Sequence, residues 1–201
     1  MSKRIALLSA AAFSALAITA TIVAPVSAQD KMKSEMSGEK TVMVGGAAMF
    51  PSKNIVQNAV NSKDHTTLVA AVKAAGLVDT LEGKGPFTVF APTNAAFGKL
   101  PAGTVDTLVK PENKAALTKI LTYHVVSGNY DSNKLRAMIL AGNGTATLTT
   151  VSGGKLWLMM NGSSNITVKD EKGDLADITI ADVRQSNGVI QVVDHVLLPG
   201  A

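Results

Sequence analysis

The stretch Gly85-Pro-Phe-Thr-Val-Phe-Ala-Pro-Thr-Asn-Ala-Ala-Phe97 decides the fold of this chain. Its run from Phe87 to Phe90 combines β-branched and aromatic residues and predicts a short buried strand. Pro92 ends that strand because it has no N–H group to donate to a sheet. Thr93 and Asn94 then offer side-chain oxygens to the free amides at the start of a helix. The stretch therefore predicts a strand, a turn and a helix start that pack on one core.

Residues 1–28 have the pattern of a secretory signal peptide. The basic pair Lys3-Arg4 precedes a nearly continuous apolar or small run from Ile5 to Val23, and Val26-Ser27-Ala28 offers a small-residue cleavage site. An uncleaved membrane anchor is the alternative, because the apolar run is almost long enough to span a bilayer. Pro25 and the small-residue site favour cleavage. We therefore expect a secreted or periplasmic protein whose mature form does not span a membrane.

The composition of the rest of the chain predicts one domain that is held together by packing alone. The chain has 201 residues, and the part that would follow cleavage is long enough for one domain and too short for two ordinary ones. It has no cysteine, so no disulfide framework can form. Removal of Lys3 and Arg4 lowers the formal charge from +4 to +2, and no other block of basic residues occurs. A nucleic-acid partner is therefore not expected.

Hydrophobic periodicity divides the exported part into a leader and a mixed domain. Residues 29–50 are rich in polar residues and Met without an apolar period, which predicts a flexible leader before a domain over residues 51–200. Apolar residues then follow a helical spacing, whereas the spacing changes to alternation late in the chain. The alternating segments predict strands at Thr145–Val151, Lys155–Met159 and Asn165–Lys169, and a hairpin turn at Ser186-Asn187-Gly188. Because helices come early and strands late, the predicted class is α+β.

Three motifs in order resemble those of the fasciclin (FAS1) domain family. Thr88–Phe97 resembles the family's first motif, Leu121-Thr-Tyr-His-Val-Val126 its central Tyr-His motif, and Gly188–Pro199 its second signature. The resemblance covers the chain from Ser52 onward and departs at Ala95, where many members carry an acid. It implies a compact β-sandwich or wedge of about seven strands with several helices packed alongside. It also implies cell adhesion or attachment to a surface or matrix, through a protein or glycan partner.

The resemblance further implies four candidate binding residues. Family members that bind integrins have been linked to the Tyr-His motif and to a short Asp-Ile motif, and the matching positions are Tyr123, His124, Asp177 and Ile178. Each pair also fits a structural role. Buried Tyr and His side chains normally satisfy their polar atoms by hydrogen bonding, so we expect Tyr123 and His124 to brace the fold where a strand meets the core. Asp177 and Ile178 equally fit the start of a strand.

The sequence contains no pattern typical of an enzyme. A catalytic nucleophile needs a base within hydrogen-bond reach, and the chain has three histidines, His65, His124 and His195. Asp194 adjoins His195, but neighbours on a strand point to opposite faces, so the two are not expected to meet. No hydrolase, metalloprotease, phosphate-loop or dinucleotide motif occurs. We therefore expect no catalytic residue, no bound metal and no cofactor, and a protein that is not an enzyme.

The alternative function is that of a carrier for an apolar small molecule such as a carotenoid, which some fasciclin-like proteins bind. The stretch Leu156-Trp157-Leu158-Met159-Met160 predicts a strand with apolar side chains on both faces. Both faces can be buried, an option favoured because exposed apolar patches are rare in soluble monomers. Otherwise one face is left for a partner, and Trp157 and Met159 are then the candidate contacts of an apolar ligand.

Overall fold

The computed structural model describes residues 39–200, so the expected signal peptide at residues 1–28 and residues 29–38 of the expected leader lie outside the described residues. In the described part, the α-helices α1 to α7 span Ile55–Ala59, Thr66–Ala75, Val78–Glu82, Asn94–Gly98, Thr104–Leu108, Lys114–Tyr123 and Ser132–Ala141. The strands β1 to β9 span Val42–Val44, Ala47–Met49, Phe87–Pro92, Val125–Ser127, Thr145–Thr149, Lys155–Asn161, Asn165–Lys169, Leu175–Gln185 and Gly188–Val193. Short 3-10 helices lie at Lys63–His65 and Pro111–Asn113. Over residues 39–200, none of the helices has the length and apolar content needed to cross a bilayer.

Seven of these strands form one mixed sheet in the order β4-β3-β9-β8-β7-β6-β5. Strands β3 and β9 are parallel, and the other neighbours in the sheet are antiparallel. The long strand β8 shifts register against β9 between Ile178 and Val183, and such bulges bend a strand. The two ends of the curled sheet meet where the N–H of Val151 donates to the carbonyl of Val125 at 2.7 Å. The expected α+β fold with about seven strands and helices alongside is confirmed.

Two apolar clusters lie on opposite faces of this sheet. The inner core is enclosed by the curled sheet and α7, and it contains Phe90 and Leu158. The helical core lies between the sheet, the β1–β2 hairpin and helices that include α1, α2, α3 and α6, and it contains Val89 and Leu121. Phe90 and Val89 are neighbours on β3, so that strand is buried on both faces and does not alternate buried with exposed residues.

The prediction of a leader up to residue 50 is wrong for its last part. Strands β1 and β2 form an antiparallel hairpin, and Val44 and Met49 are buried in the helical core. Gly45 permits the turn because its φ is +56° and because a Cβ there would collide with the side chain of Ser62. Each strand has only three residues, which is too short to produce a recognisable alternation.

Helix α7 is a second element for which the sequence carried no prediction. It begins at the cap residue Asp131, whose carboxylate accepts from the N–H of Lys134 at 2.9 Å. The N–H and the hydroxyl of Ser132 both donate to the carboxylate of Asp182 on β8, each at 2.6 Å. Gln191 on β9 also donates to that carboxylate, at 3.1 Å. These contacts fix α7 against the bulged part of β8, where Asp182 has a φ of 58°.

Candidate functional site

Tyr123 is the last residue of α6 and does not begin a strand, in contrast to the sequence-based expectation. Its hydroxyl donates to the carbonyl of Lys155 at 2.7 Å and accepts from the N–H of Glu171 at 3.0 Å. Burial raises the pKa of this hydroxyl well above its usual value. Gly154 lies so close that a Cβ there would meet the Tyr123 ring at 2.6 Å. Tyr123 thus joins the end of α6 to the turns before β6 and after β7.

His124 follows α6 directly and is also buried and hydrogen-bonded on both ring nitrogens. Its Nδ1 lies 2.9 Å from the carbonyl of Ile120, and its Nε2 accepts from the N–H of Leu197 at 3.0 Å. Because a carbonyl needs a donor and an N–H needs an acceptor, these partners assign the neutral tautomer with the proton on Nδ1. Burial lowers the pKa of His124 to about 4. The side chain holds the segment after β9 against α6.

Asp177 and Ile178 lie on β8 and point to opposite faces of the sheet. Ile178 belongs to the inner core, whereas Asp177 is half-buried on the outer face. The Asp177 carboxylate accepts from the hydroxyl of Thr167 and, at 3.1 Å, from the amide of Asn161. Of the four candidate binding residues, Tyr123, His124 and Ile178 are only 0%, 2% and 5% exposed. Asp177 is therefore the motif position with a polar side chain that a partner can reach.

Asp194 and His195 do meet, contrary to the prediction from their adjacency. His195 Nδ1 lies 2.9 Å from one oxygen of Asp194, and Lys99 Nζ lies 3.2 Å from the other. The prediction was wrong because β9 ends at Val193, so strand alternation no longer applies at these residues. Burial alone would raise the pKa of Asp194, but hydrogen bonds from His195, Asp177 and Lys99 hold it below its usual value. All three side chains of this cluster are partly exposed.

Trp157 and Met159 lie on the outer face of β6, where both are half-buried. Burial of both faces of this strand, the option favoured from the sequence, is wrong. Leu156 and Leu158 are fully buried in the inner core, whereas Trp157 and Met159 on the opposite face stay partly exposed among the described residues. Trp157 stands opposite Thr147 on β5 and Lys169 on β7. The register of β6 with its neighbours β5 and β7 creates this grouping, and alternation within a single strand did not reveal it.

An open depression of about 430 Å³ lies beside Trp157 and Met159. The turn that follows β7 forms its wall, and Lys169 and Lys172 contribute two exposed amines. Sequence reasoning missed both lysines. The alternation of Asn165–Lys169 was a usable signal for Lys169, because it places that residue on the outer face together with Thr167.

The helical core contains a separate apolar cavity of about 80 Å³. His65 lies at its edge, 3% exposed, and its Nδ1 is 2.9 Å from the hydroxyl of Ser62. Burial lowers the pKa of His65. Pockets for drug-sized ligands measure roughly 300–1,000 Å³, so this cavity is too small for a carotenoid. Within residues 39–200, no group of three or more His, Asp or Glu side chains is placed to hold a metal ion.

The geometry therefore defines an α+β domain with a packed interior, a hydrogen-bonded Tyr-His pair and an accessible outer sheet face. The family model described as the Fasciclin domain matches residues 63–199. This chain belongs to the fasciclin family, as its three motifs predicted.

Bacterial relatives of this chain support the same family assignment. The chain is 45% identical to Protein sll1483 of Synechocystis sp. over 80% of this chain and 82% of that protein. It is 38% identical to Immunogenic protein MPB70 of Mycobacterium bovis, over 71% of this chain and 67% of that protein. It is 36% identical to Cell surface glycolipoprotein MPB83 of the same species, over 79% of this chain and 64% of that protein.

A solved structure shows the fold. A FAS1 domain pair from the insect cell adhesion molecule Fasciclin I matches with a TM-score of 0.52 and 23% identity, over 65% of this chain and 43% of that chain. Neither this match nor the named relatives support the apolar-carrier alternative.

Proposed function

We propose that this chain is an exported binding module that attaches to a protein or glycan on a cell surface or in a matrix, and that it acts by contact and without catalysis. One observation carries the proposal. The outer face of β5 to β8 presents Trp157, Met159 and Asp177, and the other face of the same sheet is packed against the inner core. A rigid sheet with an accessible mixed surface is suited to recognition. MPB83 is named a cell surface glycolipoprotein, which is consistent with an attachment role.

In this proposal the buried candidate residues and the accessible one have different roles. Tyr123 and His124 act through the fold, because their polar atoms are all engaged by Lys155, Glu171 and other backbone groups. Asp177 is the motif position assigned to direct contact. The Lys99–Asp194–His195 cluster contributes to the same surface, since the N–H of Asp177 donates to Asp194 at 2.8 Å.

Deletion of the gene in the native host tests the attachment function. We expect surface attachment and biofilm formation to fall on deletion and to return when the wild-type chain is restored. A complementing Lys110→Gln variant is the matched control for expression of a folded chain, because that residue is exposed and follows α5, away from the outer sheet face. Unchanged attachment and biofilm in the deletion strain would contradict the proposal.

The protein recovered from the native host tests export and separates the two functions. Its N-terminal residue should be Gln29, and it should be found in the periplasm or the medium. Retention in the membrane with an intact N-terminus would instead establish the anchor. The recovered protein should also be colourless, whereas visible absorbance of a bound polyene would favour the carrier.

A further inference from the structure

The outer face of β6 forms a firm platform beside a depression. Lys155, Trp157 and Met159 alternate with the fully buried Leu156 and Leu158, so the platform is fixed by the inner core beneath it. Hydrogen-bonded strands β5 and β7 flank it on both sides. An indole held in this way presents a large apolar surface with little conformational freedom left to lose on binding.

The wall of the depression is a turn whose two leading acids accept hydrogen bonds from backbone N–H groups of the turn and of neighbouring segments. Asp170 accepts from the N–H groups of Lys172 and Asp174, both at 2.9 Å, and from that of Leu198 at 2.8 Å. Glu171 accepts from the N–H groups of Lys155 at 2.9 Å and Gly200 at 2.7 Å, and these bonds lower the pKa of Glu171. Both carboxylates are therefore engaged within the protein.

The amines of the lysines around the depression are not paired with carboxylates among the described residues. Among the described residues, Lys155, Lys169 and Lys172 have no carboxylate oxygen within 4.0 Å of their amines. Lys169 stands directly opposite Trp157, and Lys172 lines the depression. The site thus combines an apolar aromatic face with ammonium groups that can pair with a negative charge.

From this geometry we infer that the depression binds an acidic sugar unit, a uronate, of an anionic polysaccharide. The ring of a uronate offers a C–H face to the indole of Trp157 and a carboxylate to Lys169 and Lys172 in one rigid unit. A neutral sugar leaves the ammonium groups unpaired, and an acidic peptide brings no flat apolar face. A depression of about 430 Å³ has room for a sugar of this kind. The inference rests on the proposed function as an exported attachment module.

Trp157 is the single tryptophan of the chain, so its fluorescence reports on the site directly. The exported protein is titrated with alginate oligosaccharides, with dextran as the neutral control and polyglutamate as the acidic control. We expect a saturable change in emission with alginate alone, weakening as salt is added because exposed charges are screened. No change with alginate, or an equal change with polyglutamate, overturns the inference.

Two double variants distinguish binding at this site from an effect of the overall charge of the protein. Lys169→Gln with Lys172→Gln should weaken alginate binding by roughly tenfold, the sum of two exposed ion pairs. Lys73→Gln with Lys110→Gln removes the same charge from exposed positions on α2 and after α5, and it should change the affinity little. Equal losses in both double variants would refute a defined site.

The Trp157→Thr variant should no longer bind alginate, as measured by calorimetry because the variant lacks the fluorescent residue. It should still unfold cooperatively. If attachment falls on gene deletion but alginate does not bind, the uronate site is wrong and the attachment function stands. If attachment is also unchanged, the failure lies with the attachment function.

Discussion

The Tyr123-His124 pair and the outer face of β6 differ in what they leave available to a partner. The pair lies at the end of α6, at most 2% exposed, with both hydroxyl bonds and both ring nitrogens satisfied inside the protein. The outer face of β6 carries a half-buried Trp157 next to lysines that contact no carboxylate among the described residues. The Tyr-His pair is therefore engaged by the fold, whereas the outer face of β6 leaves side chains accessible to a partner.

The reason for this difference is the position of each element in the sheet. Tyr123 and His124 connect α6 to the turns before β6 and after β7 and to the last segment of the chain. Strand β6 needs only its inner side chains for the core. Its outer positions are thus free to carry binding chemistry without loss of packing.

The largest effect is expected on removal of the His124 ring. His124→Ala leaves the carbonyl of Ile120 and the N–H of Leu197 unpaired in a buried site and creates a cavity. We expect the free energy of unfolding to fall by about 3–4 kcal/mol, measured by urea denaturation. His195→Ala, at a partly exposed histidine, should cost about 1 kcal/mol or less. A normal transition for His124→Ala combined with lost attachment would make His124 a contact residue.

Acid should weaken the same connection. The pKa of His124 is lowered to about 4 in the fold, from 6.5 in the unfolded chain. The unfolded state therefore binds more protons between these values, and stability falls as the pH drops from 6.5 towards 4, by on the order of 3 kcal/mol. Burial lowers the pKa of His65 as well, so it adds to the slope in the same direction.

The His124→Gln variant separates the two histidines in this pH dependence. It should show a shallower loss of stability between pH 6.5 and pH 4.5, because the remaining slope comes from His65. Asp182 and Asp194 have pKa values below their usual range, so their stabilising contributions disappear only at lower pH. A slope identical to that of the wild type would show that His124 does not titrate in this window.

A smaller effect is expected for the hydroxyl of Tyr123. Tyr123→Phe keeps the ring but removes the bond to the carbonyl of Lys155 and leaves the N–H of Glu171 without its acceptor. We expect a loss of about 1–2 kcal/mol in the free energy of unfolding. Tyr130→Phe is the matched control, because within residues 39–200 the Tyr130 hydroxyl makes no hydrogen bond, and its stability should stay nearly unchanged. Equal stability of the two variants would contradict the bracing role.

The central strand and helix start were predictable because their signals are local. Phe87–Pro92 is a strand, and Thr93 caps α4 by accepting from the N–H of Ala96 at 3.2 Å, as the stretch indicated. The strands Lys155–Asn161 and Asn165–Lys169 were also marked by their alternation. The family motifs then supplied the overall architecture, which local patterns alone do not fix.

The candidate site was less predictable because it depends on strand register, on where a strand ends and on contacts between separate elements. Lys169 reaches Trp157 only through the register of β6 with β7. Asp194 meets His195 because β9 ends at Val193, and the alternating pattern of the sequence does not mark that end. Helix α7 depends on Asp182, 50 residues beyond the Ser132 that it binds. Such contacts are set by the closed sheet and leave no periodic trace in the sequence.

The smallest effect on stability is expected on the outer face of β6, where the same strand supplies its own control. Trp157→Thr retains a β-branched residue at a half-buried position, so the free energy of unfolding should change by less than about 1 kcal/mol. Leu158→Ala, one residue away but fully buried, should cost about 3 kcal/mol. Urea unfolding followed by circular dichroism measures both variants without the tryptophan signal. If Trp157→Thr destabilises the protein as much as Leu158→Ala, the outer face is part of the packing and the contrast with the Tyr123-His124 pair fails.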